Sequence, residues 1–188
     1  MASIWRGMYP WIRFVTTMVR GRRLTPMGAL ETHVSRHRVS LFDCDMFGEL
    51  NNGRILTLYE FGRWQLALRA GLWDAMRKQG WGFAVAGASV RYRKRLVPFE
   101  HFEMRTRVLG WDARFVYVEQ GMFKTSGECA NHALFRTAIV SGGRAVMTER
   151  LEAEMPGLGA SPALPDWAGA WIGADRTRPW PPFEETAT

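Results

Sequence analysis

Asp43 and Asp45 flank Cys44, and a few residues on, Asn51 and Asn52 stand side by side before Gly53 and Arg54. A carboxylate beside a helix start can attack an acyl carbon or activate a water. The first-turn N–H groups of a helix have no partner within it and carry positive potential. They can hold the charge that develops on an acyl oxygen. Asp45 is therefore a candidate nucleophile or general base, and the amides near Asn52 and Gly53 are candidate oxyanion donors. The same residues have a purely structural reading. Asp45 suits a turn or cap, Asn51 and Asn52 cap helices whatever the activity, and Asp43 reads as structural. Glu60, two turns further on, is a runner-up carboxylate; its plainer reading is a buried acid paired with Arg63 or Arg54. Cys44 has no histidine predicted beside it. The four histidines have no GxSxG partner, so a serine triad is not visible.

The elements that must position these residues follow from periodicity. A strand is expected over 33–41 and a turn over 42–48, where Gly48 permits the bend. A long helix follows over 52–79, apolar most of the way round and so largely buried, with Gly71 as a bend or break. Strands are then expected over 83–95, 102–111, 115–124, 129–141 and 144–147. Residues 102–111 alternate, with Phe102, Met104, Thr106 and Val108 on one face and Glu103, Arg105 and Arg107 on the other. Gly142–Gly143 signals a tight hairpin. A helix buried this fully needs a curved sheet around it, which predicts an α+β chain with an antiparallel sheet wrapped on a long central helix.

The 188 residues suit one domain with tails. Two cysteines, Cys44 and Cys129, are too few for a disulfide framework and read as reduced thiols. No Walker loop, GxGxxG, HExxH or zinc-ligand spacing occurs, so neither metal nor cofactor is implied. The net charge of +7 is uneven. Residues 1–38 hold seven arginines against Glu31, a net of +6. A basic arm over 1–30 is thus separated from a body over 31–155 and a Pro- and Trp-containing tail over 156–188, expected to be irregular. In the arm, Trp11, Ile12, Phe14, Val15, Met18 and Val19 fall on one helical face, opposite Arg13, Thr16, Thr17 and Arg20. That face predicts either packing on the body or peripheral contact of residues 8–23 with an anionic membrane. The run is too short to span a bilayer and lacks a signal-peptide cleavage pattern. A cytoplasmic protein is expected, with peripheral contact at most. No RRM, KH or zinc-finger pattern accompanies the arm, so no nucleic acid is expected.

The segment from Asp43 to Arg54 resembles the Asp-x-Asp-x-x-Gly-His-x-Asn-Asn-(Ala/Gly)-Arg signature of the 4-hydroxybenzoyl-CoA thioesterase-like hotdog family. A second block, from Arg91 through Glu100 to Asp112, is similar to the thioesterase superfamily member 6-like subgroup. The resemblance runs over about 32–155. It implies a hotdog fold, a homodimer or higher oligomer, and hydrolysis of acyl-CoA at a site between subunits. Asp45 would be base or nucleophile, Asn51 and Asn52 the helix-start pair, and Arg91, Arg93 and Lys94 candidates for the CoA phosphates. Phe47 and Trp64, with apolar residues of the long helix, would line an acyl channel. The chain departs from the signature at Glu49, where the family has histidine. That exchange removes a donor and places negative charge beside Asp45, which favours the competing reading of a non-catalytic acyl-CoA or lipid-binding hotdog protein at a membrane surface. A hotdog enoyl-CoA hydratase would need an Asp–His dyad, and none is found.

Overall fold

The computed structural model describes residues 10–155 and 157–182. Helix α1 (Trp11–Arg23) is followed by β1 (His33–Arg38), a short 3-10 turn (Leu41–Asp43), α2 (Asn52–Arg69) and α3 (Leu72–Gln79). Strands β2 (Gly82–Tyr92), β3 (His101–Trp111), β4 (Val116–Lys124), β5 (Cys129–Ser141) and β6 (Arg144–Ala145) then lead to α4 (Thr148–Glu154) and α5 (Asp166–Arg176). The strands form one antiparallel sheet in the order β1-β3-β4-β5-β2, with β6 on β5.

The long helix expected over 52–79 is two helices. Gly71 adopts φ +77°, a conformation that ends α2 and starts α3. The strand expected over 83–95 stops at Tyr92. Both Arg93 and Lys94 turn their N–H groups onto the Ala130 carbonyl. The short strand expected over 144–147 ends at Ala145, and α4 follows it. The tail expected to be irregular carries α5, whose Ala168 and Ile172 pack on Leu109, Tyr117 and Leu134. Its glycines and alanines mask helical periodicity; of them Ala168 alone is buried against the sheet.

Helix α2 fills the concave face of the sheet. Leu58, Tyr59 and Phe61 meet Phe102, Met104, Met122 and Phe135 in the main core. Gly62 marks the closest approach. A Cβ there would lie 2.7 Å from Thr106 Oγ1 and 2.8 Å from Gln120 Nε2. Around this contact runs a buried polar belt. Gln120 Nε2 donates to the Tyr59 carbonyl (2.9 Å) and Thr106 Oγ1 (2.8 Å), and its Oε1 accepts from Arg63 Nη1 (2.8 Å). Arg63 stacks 4.0 Å from the Phe135 ring centroid, and burial lowers its pKa to about 10.

Helix α1 lies on the outer side of α2, through Phe14 against Phe61 and Trp64 and through Gly21 against Leu68. Thr17 and Gly21 are buried while Ile12 is 83% exposed, and Trp11, Val15 and Val19 are exposed as well. The helix therefore packs on its own body through Phe14, Thr17 and Gly21, and turns Trp11, Ile12, Val15 and Val19 of its apolar stripe outward. Small residues let α1 approach closely, and Arg13 has a buried acid to meet.

Candidate active site

The loop between the 3-10 turn and α2 is a tight double turn. Asp45 N–H donates to the Glu49 carbonyl (2.9 Å), Asn51 N–H to the Asp43 carbonyl (2.9 Å), and Leu50 N–H to the Leu96 carbonyl (2.8 Å). Gly48 supplies a φ of +70° where the loop reverses. Asp43 is buried and ion-paired with Arg13 of α1 and, at 3.7 Å, Arg54 of α2. It anchors the loop and does not face solvent.

Asp45 is half-buried, and its Oδ1 accepts from Phe47 N–H (2.9 Å) and Glu49 N–H (3.4 Å). This is an Asx turn. It fixes the carboxylate while Oδ2 keeps no protein partner among the described residues. The turn role and a chemical role are thus compatible, because they use different oxygens. The start of α2 differs from the expectation in one respect. Asn51 Oδ1 caps Gly53 N–H (2.9 Å) and Arg54 N–H (3.3 Å). The amide expected from Gly53 therefore already has an acceptor, and the uncommitted first-turn donor is Asn52 N–H.

Glu49 is neutralised by Arg95 at 3.3 Å. Glu60 is half-buried and accepts from Trp64 Nε1 at 3.4 Å. Neither Arg63 nor Arg54 pairs with it, since the first enters the core and the second goes to Asp43. Eight residues of helix put Glu60 about 12 Å along the axis from Asn52, so α2 separates it from the Asp45 loop. Phe47 is exposed, and Trp64 stands between Phe14, Trp73 and Phe83. Most apolar residues of α2 fill the core, and those toward its far end line a cavity. This apolar cavity, of about 60 Å³, lies among Leu66, Ala70, Ile139 and Leu151. Of the expected phosphate cations, Lys94 is held by Glu128 at 2.8 Å. Arg91 and Arg93 are exposed with no acid partner among the described residues.

The residues that sequence reasoning missed are those joined over long separations: Arg13 on Asp43, and Glu119 on both Arg107 (2.6 Å) and His132 (2.8 Å). Alternation placed Arg107 on the outer face of its strand, but nothing local pairs it with Glu119.

Residues 39–172 match the model of the thioesterase-like superfamily. The chain belongs to that superfamily. The thioesterase-like match covers the Asp45 loop, α2 and the whole sheet beyond β1. Among curated relatives, protein THEM6 of Xenopus laevis is 42% identical over 78 residues, covering 42% of this chain and 38% of that protein. Protein THEM6 of Danio rerio is 34% identical over 114 residues, covering 60% of this chain and 56% of that protein. The chain thus spans about half or less of the length of these relatives. In fold it is similar to the probable thioesterase YbaW of Escherichia coli, at a TM-score of 0.61, 17% identity and coverage of 66% of this chain and 97% of that one. It is also similar to the DHNA-CoA thioesterase of Staphylococcus aureus, at a TM-score of 0.58, 18% identity and coverage of 77% and 91%. At such identities the likeness concerns the fold, which is the hotdog fold. No helix among the described residues is long and apolar enough to cross a membrane.

Proposed function

We propose that this thioesterase-like chain hydrolyses acyl-CoA thioesters to free acid and CoA. Asp45 serves as base or nucleophile through Oδ2, and the Asn52 amide at the start of α2 receives the developing oxyanion. The observation that carries this reading is the held Asp45 carboxylate, with one oxygen uncommitted beside a capped helix start. Arg95 on Glu49 supports it further, because it offsets the charge that stands in place of the family histidine. Glu60 is the alternative carboxylate, and Arg91 and Arg93 are the cations available to CoA phosphates. Thiol release from short, long and aromatic acyl-CoAs tests the reading; hydrolysis of none of them would set it aside.

The working unit proposed is a homodimer joined through β2. Among the described residues only β5 pairs with this edge strand, and residues 82–90 carry no charge. Uncharged edges this long pair with another strand unless they are protected. A sedimentation mass of one chain would contradict the dimer.

A second reading is a protein that binds acyl-CoA or lipid at a membrane surface. It is favoured by the outward stripe of Trp11, Ile12, Val15 and Val19, with Arg20, Arg22 and Arg23 in the last turns of the same helix. Flotation with anionic vesicles, lost in Ile12→Asp with Val15→Asp, would support the contact. Equal flotation of that variant would remove it.

A further inference from the structure

A groove of about 610 Å³ runs between α1 and the edge strand β1, with no residue of the Asp45 loop in its lining. That lining is basic. Arg13 and Arg20 from α1 and Arg36 and Arg38 from β1 stand against one acid among the described residues, Glu103. Two of these cations are committed. Arg13 is ion-paired with Asp43, and Arg38 Nε donates to the Phe99 carbonyl (3.1 Å) with its guanidinium over the Phe99 ring. Glu103 lies across the ladder from Arg36 but accepts from Arg105 Nε at 2.8 Å. Arg20 and Arg36 therefore remain without an acid among the described residues, one on each wall.

The helix that forms one wall also presents a surface beside it. Arg13, Thr17, Arg20 and Leu24 recur at the spacing of one helical face and line the groove. Ile12, Val15 and Val19 recur on the next face and are exposed. An outward apolar stripe beside a cationic groove suits a helix lying in the interface of a bilayer, with its apolar residues below the headgroups and its cations among them. Two guanidinium groups from opposite walls suit a phosphomonoester, which carries about two charges at neutral pH and three accepting oxygens. A phosphodiester brings less charge and fewer free oxygens.

We propose that the groove between α1 and β1 binds the phosphomonoester headgroup of an anionic lipid on Arg20 and Arg36, while the outward stripe of α1 enters the bilayer. This headgroup site rests on the membrane-surface reading above and adds a lipid preference to it. It holds equally for a catalytic and a non-catalytic chain, because Arg20 and Arg36 lie outside the Asp45 loop.

Flotation of the full chain with phosphatidylcholine vesicles carrying phosphatidic acid, or phosphatidylserine at equal net charge, tests the site. Binding to phosphatidic acid is expected to be at least about tenfold tighter, the scale of one charge-assisted hydrogen bond. Both arginines are exposed, so Arg20→Ala with Arg36→Ala should fold normally and bring the two vesicle types level. Arg22→Ala with Arg23→Ala removes the same charge outside the groove; it should weaken both vesicle types alike and keep their ratio. A preference that survives in the Arg20 and Arg36 variant would overturn the assignment. Flotation of wild type on both vesicle types without preference would remove the groove site and leave the membrane contact standing. Loss of both readings would show as no flotation at all. Titration with glycerol phosphate separates the sources: binding that depends on Arg20 and Arg36, in a chain that floats with no vesicle, would overturn the lipid in favour of a soluble phosphate ester.

Discussion

Arg13 and Asp43, thirty residues apart in sequence, form an ion pair that ties α1 to the loop carrying Asp45. Asp43 is buried, and its carbonyl also accepts from Asn51 N–H, the residue that caps α2. The arm is therefore part of the support of the candidate site. Arg13→Ala leaves Asp43 with Arg54 alone, at 3.7 Å. Because Arg13 is partly exposed, the expected loss of stability is about 1–2 kcal/mol, below the usual range for a fully buried pair. Urea unfolding would measure it. A change under about 0.3 kcal/mol would show that the pair holds nothing.

Gly62→Ala should destabilise the chain by about 1–3 kcal/mol, although alanine is the better helix former. The added methyl would meet Thr106 Oγ1 and Gln120 Nε2, both inside the polar belt and unable to swing away. A thermal midpoint equal to or above wild type would show that α2 can lift off the sheet.

The belt itself should respond asymmetrically. Gln120→Leu strands the Arg63 guanidinium and the Thr106 hydroxyl, and should cost about 3 kcal/mol or more. Arg63→Met removes the buried cation with its solvation penalty and keeps the stem against Phe135. It leaves only the neutral Gln120 Oε1 without its donor, so its loss should be about 1 kcal/mol or less. Comparing the two denaturation midpoints checks this; equal losses would contradict it.

Much of this was legible in the sequence, because the fold is written in local patterns. Alternation marked β3, the Gly142–Gly143 pair marked the last hairpin, and the Asn51 cap marked the start of α2. The break at Gly71 was visible as a glycine, but its φ of +77° was not. The face on which α1 docks was illegible, since amphipathicity points to Ile12 and Val15 while close packing selects Thr17 and Gly21. The candidate site was half legible. Asp45 and Asn51 stand in one segment and were readable, whereas the occupation of the Gly53 amide by the Asn51 side chain is a matter of rotamer. Contacts of long separation, such as Arg13 with Asp43, leave no local trace.

Acid should weaken the fold in a defined window. Burial lowers the His37 pKa from 6.5 to about 4, with Arg13 and His33 adding to the effect. Burial also lowers the pKa of His33, whose ring is fixed by donating to Gln65 Oε1 (3.0 Å) and accepting from Arg69 Nη1 (2.9 Å). In the unfolded chain these histidines take up protons near pH 6.5, before the folded chain does. Their contribution is thus complete above pH 6.5 and is lost as pH falls toward 4. For His37 the loss at pH 5 is about 2 kcal/mol. Urea midpoints at pH 7.5 and 5 would measure it, and His37→Gln should flatten the slope. An unchanged slope in that variant would assign the acid sensitivity elsewhere.

The central claim is that Asp45 does the chemistry, and its most direct test is thiol release from an acyl-CoA panel by wild type and Asp45→Asn side by side. Asparagine keeps the oxygen that accepts from Phe47 and Glu49, so the turn should survive and circular dichroism should match wild type. Turnover in the variant is predicted to fall by at least about 100-fold, the scale of a lost general base. Turnover within a few-fold of wild type, on an intact fold, would contradict the account and move attention to Glu60.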